Sequence, residues 1–246
     1  LPDFTKFSIK TVCAAMGQLF YSMSIAMGIM ISYGSYVKKE VNLNKSVNQI
    51  EIFDTSVALL SGFMIVPAVF VFQPDKLNTG GPGLMFATLP LVFEKMPFGQ
   101  VIGAIFFVLV LLAALTSSIS IMEAIVSMIM DKFHLSRVKT VLITSAVALV
   151  LGIPSALGFG VWKDVKILNM DILSFFDYLS NSVLMPIVAF FTCILGGWFV
   201  GTKVLGDEIT KNGEKFSRKW IFNVMVKFIS PIFLIMILVY YTLLQF

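Results

Sequence analysis

Three carboxylates, Asp54, Glu123 and Asp177, lie inside runs of sequence that are otherwise apolar. An unpaired charge at the centre of a bilayer costs at least about 2.5–3.5 kcal/mol on insertion scales, so acids in such runs mark gates, ion paths or paired helix contacts. A second group is periodic. Thr116, Ser117, Ser120 and Glu123 follow Ala113 at three, four, seven and ten residues, which puts them on one helix face, and Ser118 widens it. Hydroxyl and carbonyl oxygens in such a stripe suit a hard monovalent cation such as sodium. The same hydroxyls can also bond back to their own helix, and the pattern leaves both readings open. A third group is Ser22 to Gly28, SMSIAMG, which places hydroxyls and a glycine at the centre of the first apolar run. Either two half-helices meet there and expose free carbonyls and amides to a cation and a carboxylate, or an ordinary helix packs small residues at an interface.

These residues need a scaffold that crosses a membrane. Of 246 residues, 58% are hydrophobic and 13% charged, and the mean hydropathy is +0.92. A soluble domain carries about 25% charged residues, so this chain cannot cover a water-facing surface. Soluble enzymes, disordered regulators and disulfide-stapled secreted domains are excluded. Cys13 and Cys193 sit in apolar runs as buried thiols without metal spacing, and His134 belongs to a short solvated loop. The net charge of +4 does not point to nucleic acid, because the charges gather in the loops between apolar segments.

Six stretches are long enough to span: about 9–38, 52–73, 99–132, 137–160, 170–201 and 218–245. The loops around 38–51, 131–140 and 202–219 hold three, three and five Lys or Arg, against two in each of the other three connections. The positive-inside bias places the first group in the cytoplasm and both chain ends outside. Such a start, with Leu1 and Pro2 and no Met, fits a portion of a longer protein. The 74–98 segment is too apolar for a solvated linker and too rich in Gly and Pro to span. It reads as an external loop with a short helix over about 84–93, either folded back on the protein or lying in the interface.

Four strings, GQLFYSMSIAMGIMISYGSY at 17–36, GPGLMFATLP at 81–90, AALTSSISIM at 113–122 and FFDYLSNS at 175–182, resemble bacterial members of the neurotransmitter:sodium symporter family, which have the leucine-transporter fold. The resemblance covers nearly the whole chain. It implies an all-α integral membrane protein of six transmembrane helices, the first unwound at mid-membrane, forming part of an inverted-repeat bundle. These six match the family's sixth to eleventh helices, so the missing N-terminal helices become partners of this chain, along with the lipid bilayer and an amino-acid substrate. It places the protein in the cell membrane, multi-pass, as in a bacterial inner membrane.

The implied function is sodium-coupled symport of an amino acid by alternating access, with Na+ as the coupling ion and no enzymatic chemistry. By the same resemblance Ser22 is a ligand of a first sodium site, with Asp54 beside it. Ala113 (by its carbonyl), Thr116 and Ser117 are ligands of a second. Tyr21 is the lid over the substrate, Ser22, Ser24 and Ser118 flank it, and Met27 and Ile121 line a pocket suited to an apolar or aromatic side chain. Asp177 is the outer-gate acid and Asp131 the inner-gate acid, and Tyr36 supports the inner gate. Two departures stand out. Asp54 takes a place where relatives commonly have Asn when the register is anchored on Ser61-Gly62, whereas anchoring on Pro67 would put Phe53 there. Phe cannot ligate sodium, which favours Asp54, and a fixed carboxylate near Gln18 and Ser22, where chloride-dependent relatives bind their anion, implies chloride independence. Ala26 stands where many relatives have Gly. Glu123 has no assigned role; it either hydrogen-bonds between helices, the simpler use, or couples a proton. A channel would need a continuous polar lining and an enzyme a catalytic constellation. A non-transporting accessory subunit is the remaining alternative.

Overall fold

In a computed structural model of the chain, residues 8–76 and 81–244 are described. The Leu1–Pro2 opening, residues 77–80 of the external loop and Gln245 at the end of the sixth stretch lie outside the described residues. The described chain is helical: α1 (Ile9–Ser22), α2 (Ile29–Tyr36) and α3 (Leu43–Phe72), a loop helix α4 over 81–95, then α5 (Gly99–Phe133) and α6 (Arg137–Leu157), α7 (Ile172–Ile209) and α8 (Lys219–Thr242). Five of these, α3 and α5 to α8, are long and apolar enough to cross a membrane. The remaining stretch, the first, is the broken pair α1 and α2. Neither half reaches the roughly 20 residues a span needs.

The break follows from the sequence 23–28. Met23 and Ile25 still donate backbone N–H bonds to Leu19 O and Phe20 O, and Ser24 to Tyr21 O. Ser24, Ala26 and Gly28 then take left-handed φ values of 54°, 66° and 77°. Left-handed backbone costs an L-residue roughly 1–2 kcal/mol, so this alternation cannot continue a helix. Gly28 escapes that cost and caps α2, accepting the Ser32 N–H.

Prolines explain most of the irregularity elsewhere. Wide π-type turns at Leu84–Thr88, Tyr178–Leu184 and Met225–Ile229 run directly up to Pro90, Pro186 and Pro231. A proline has no N–H to give to the preceding turn, and the ladder relaxes by one residue just before it. Another such turn, Leu195–Gly201, has no proline and instead contains Gly196 and Gly197 and ends on Gly201 at φ 88°. Helix α3 begins at Leu43, well ahead of the apolar run. Asn42 holds that start, its side chain accepting the Lys45 N–H at 2.8 Å, so a polar extension of about 13 Å precedes the membrane-length part.

The chain divides into two compact units, Leu1–Val47 with Ile121–Phe246, and Asn48–Ser120. In the smaller unit Val69, Leu89 and Val92 form a buried cluster that binds α4 to the end of α3, with Phe93 and Phe106 packed against it. In the larger, α7 and α8 run side by side through buried Met185, Ala189, Leu234 and Ile237. Between helices in lipid this packing acts through van der Waals contact rather than water exclusion. Cys13 is fully buried and Cys193 partly so, and His134 is exposed, ending α5 at φ 53°.

Candidate functional site

The larger unit holds most of the candidate residues. Gln18, Tyr21 and Ser22 lie on α1, Ser24 and Met27 in the break, Tyr36 at the end of α2, Ile121 and Asp131 on α5, and Asp177 on α7. A cavity of about 430 Å³ gathers Tyr21, Ala26 and Met27 from the broken segment, Ile121 from α5 and Asp177 from α7. Its remaining walls come from α7 residues that the sequence did not single out, among them Leu173, Phe176 and Val188. With Met27 and Ile121 they give the cavity an apolar lining, interrupted by polar groups at Tyr21, Asp177, Ser180 and Asn181. A second cavity, about 450 Å³, contains Gln18, Ser174 and Tyr241. Tyr21, Asp177, Asn181 and Met185 border both spaces. Asn181 donates Nδ2–H to Asp177 Oδ1 at 2.6 Å, which sets the carboxylate along the wall the two cavities share.

The break leaves its own polar groups. The first-turn amides of α2 have no side-chain cap, while at the end of α1 the carbonyls of Leu19, Phe20 and Tyr21 accept N–H groups of the break itself. A half-helix N-terminus favours negative charge and a C-terminus a cation.

At the other end of α2, Tyr36 Oη donates to Glu123 Oε1 at 2.7 Å. Arg137, at the start of α6, closes on the same carboxylate, Nη1 to Oε1 at 3.3 Å and Nη2 to Oε2 at 2.5 Å. Glu123 is therefore an interhelical acceptor with a cationic partner inside this chain, although its sequence neighbourhood displays none. Asn212 Nδ2 also donates to Lys39 O at 2.6 Å. The connections that follow α2 and α7 are thus joined within the larger unit. Asp131 is exposed near the end of α5.

The smaller unit carries Asp54 on α3 and Ala113, Thr116, Ser117 and Ser118 on α5. Ser22 belongs to the larger unit and Asp54 to this one. Much of the hydroxyl stripe bonds back to its helix. Thr116 Oγ1 donates to Ala113 O at 2.9 Å and Leu112 O at 3.2 Å, Ser118 Oγ to Ala114 O at 2.7 Å and Ser120 Oγ to Thr116 O at 2.9 Å. A donated proton does not exhaust a hydroxyl, since its lone pairs still accept or ligate. No group of three or more His, Cys, Asp or Glu arranged for a metal occurs among the described residues.

On the far side of α7, Asp171 caps the helix, its carboxylate accepting the Ser174 N–H at 3.0 Å and the Ser174 hydroxyl at 2.6 Å. The Ser174 hydroxyl first, and the Ser174 amide second, hold the Asp171 carboxyl below its ordinary range.

The family model described as "Sodium:neurotransmitter symporter family" matches residues 1–246. An uncharacterized sodium-dependent transporter of Haemophilus influenzae is 34% identical over 239 residues, covering 97% of this chain and 51% of that protein. The uncharacterized sodium-dependent transporter YhdH of Bacillus subtilis is 32% identical, covering 96% of this chain and 52% of that protein. Among solved structures, that of MhsT in complex with L-phenylalanine superimposes with a TM-score of 0.83 at 33% identity, covering 92% of this chain and 50% of that one. The chain spans about half the length of the relatives it matches.

Proposed function

The chain belongs to the sodium:neurotransmitter symporter family, and from that membership we propose that the complete protein carries an amino acid across the membrane together with sodium, by alternating access. The observation that carries the reading is the left-handed break at Ser24, Ala26 and Gly28 beside a cavity that joins Tyr21, Met27, Ile121 and Asp177. The uncapped amides of α2 receive the substrate carboxylate, Ser24 and Ser118 flank it, and Tyr21 covers it. Met27 and Ile121 meet an apolar or aromatic side chain. The L-phenylalanine named with the MhsT structure supports that class.

Sodium is the coupling ion. Ser22 and Asp54 serve one site, and the Ala113 carbonyl, Thr116 and Ser117 the other. At the second, two of the proposed ligands are bonded to each other, Thr116 Oγ1–H to Ala113 O. An arriving cation displaces that bond, and the Thr116 proton keeps Leu112 O as its acceptor. Asp54 supplies a fixed negative charge, so transport is independent of chloride. Asp177 is the outer-gate acid, and Asp131, supported by Tyr36, the inner one. Sodium and substrate each shift the balance of outward and inward states only by their differential affinity for them.

The test is a binding screen of the twenty amino acids on the complete protein in sodium and in potassium. Sodium-dependent binding confined to apolar or aromatic amino acids supports the proposal. Binding that is equal in the two salts contradicts the coupling, and sodium-dependent binding of acidic or basic amino acids alone contradicts the pocket assignment.

A further inference from the structure

Lys227 is a cation placed well inside a membrane-length helix. It lies eight residues after Lys219 in α8, about 12 Å along the axis. Among the described residues its ammonium has no carboxylate and no hydrogen-bond partner, whereas Lys211 is paired with Glu208. An unpaired ammonium at that depth is costly unless it reaches an interface or an anion. Side chains on a helix lean toward its N-terminus, so the Lys227 stem runs back toward the end that carries Arg218 and Lys219.

The neighbouring helix has a track for it. At Gly197 of α7 an added Cβ would stand 3.4 Å from Lys227 Cγ, and at Gly206 one would stand 3.3 Å from Lys219 Cε and 3.5 Å from Lys219 Nζ. The two lysine stems thus cross α7 at two glycines, and side chains at those positions would push them away. Trp198 closes the inner end. Its Nε1–H donates to Lys227 O at 3.3 Å, and its ring meets Phe228 edge-on at 5.7 Å. An indole with an apolar body and one hydrogen bond is suited to the depth of lipid headgroups. Along the sequence from 203 to 227 the remaining charges are mixed but cationic in balance: Lys203, Lys215, Lys219 and Lys227 against Asp207 and Glu214, with the Lys211–Glu208 pair and Arg218 set aside.

We propose that the groove between α7 and α8, with Lys219 and Lys227 as its cationic ends and Trp198 as its floor, binds the headgroup phosphate of an anionic phospholipid from the cytoplasmic leaflet. The site needs two features that a general attraction to a negative surface lacks, an ammonium inside the apolar span and a second cation on the same helix toward its cytoplasmic end. The acyl chains lie on exposed Phe199 and Phe228. The proposal stands on these contacts alone and does not depend on which substrate the protein carries.

The test uses the complete protein reconstituted in phosphatidylcholine vesicles that contain brominated phosphatidylglycerol or brominated phosphatidylcholine. The quenching of Trp198 is obtained by difference from Trp198→Phe. Phosphatidylglycerol is expected to quench with at least about threefold preference in the parent and near equality in Lys227→Met, with Lys227→Arg keeping the preference and Lys219→Gln reducing it. Equal quenching by the two lipids in the parent, or an unchanged preference in Lys227→Met, overturns the proposal. A preference lost on adding salt in Lys227→Met and in the parent alike also overturns it, since that is attraction to the surface and not to the groove.

Discussion

Arg137 grips Glu123 through both ends of its guanidinium, at 2.5 Å and 3.3 Å, while Tyr36 donates to the same carboxylate at 2.7 Å. The arrangement ties α2, the second half of the broken segment, to α5 and α6. Glu123 is the sheltered member, with 19% of its side chain exposed against 61% for Arg137. Solvent around Arg137 weakens the ion pair, whereas the hydroxyl bond orients a more enclosed oxygen.

Tyr36→Phe is therefore expected to lower the melting temperature slightly, as loss of one exposed interhelical hydrogen bond does. Arg137→Ala should cost no more than that, and Glu123→Gln less than Glu123→Ala because the amide oxygen still accepts. Thermal unfolding of the complete protein in detergent checks the order. If α2 moves during the transport cycle, Tyr36→Phe also makes a cysteine placed at Ser35 more reactive from the cytoplasmic side.

Ala26 holds a left-handed φ of 66°. Ala26→Gly removes the steric cost but adds freedom to the unfolded chain. The expected result is a change between zero and about 1 kcal/mol in favour of the folded protein, with Ala26→Val losing stability and substrate binding together. Measured melting temperatures of the two variants decide it, and a clearly destabilised Ala26→Gly would contradict the backbone path through the break.

How much of this was legible in the residues can be judged at that break. The 30-residue run and the cluster SMSIAMG pointed to an unwound centre, since no single span needs that length and serine and glycine tolerate exposed backbone. Which residues would turn left-handed was not legible, because Ala26 has no local preference for it and is held by the helices on both sides. The wide turns at Pro90, Pro186 and Pro231 follow from a missing N–H and could have been placed from sequence. The Glu123–Arg137 pair could not, because 14 residues and a helix reversal separate the two, and helical periodicity relates only residues on one helix. The α7 walls of the cavity were missed for a similar reason. Leu173, Phe176 and Val188 look like any lipid-facing apolar residues until the packing of α7 is known.

Gly99 is fixed by a close approach. A Cβ there would lie 1.6 Å from Phe93 O, whereas one at Gly62 would meet nothing within 4 Å. Gly99→Ala must open the turn between α4 and α5 and is expected to cost about 3 kcal/mol or more, as overpacking does at its upper end. Gly62→Ala should be neutral or mildly stabilising. Expression level and melting temperature of the pair make the comparison.

Asp171 gives a pH signature. Its folded pKa is depressed, so its contribution is present above the unfolded value, near 3.9, and is lost as pH falls through the lower folded value. Asp171→Ala should cost about 1 kcal/mol at pH 7, and the difference from the parent should shrink below about pH 3–4. Asp171→Asn, which still caps, should lose less at pH 7. A pH-independent difference for Asp171→Ala would mean that the carboxylate is not the stabilising form.

Asp54 carries the chloride prediction. Uptake by the parent is expected to be unchanged when gluconate replaces chloride, and Asp54→Asn to become chloride-dependent or inactive. Parent uptake falling to background in gluconate would remove the assignment of Asp54 as the fixed negative charge.

The most direct measurement for sodium-coupled transport is the sodium dependence of labelled L-phenylalanine binding to the complete protein, compared with Thr116→Ala and Ser117→Ala. Loss of one ligand oxygen worth about 1.4 kcal/mol corresponds to a tenfold change. The expected result is binding in sodium and none in potassium for the parent, with about tenfold more sodium needed for half-saturation in each variant. Equal binding in potassium, or sodium curves that coincide for parent and variants, would contradict the account.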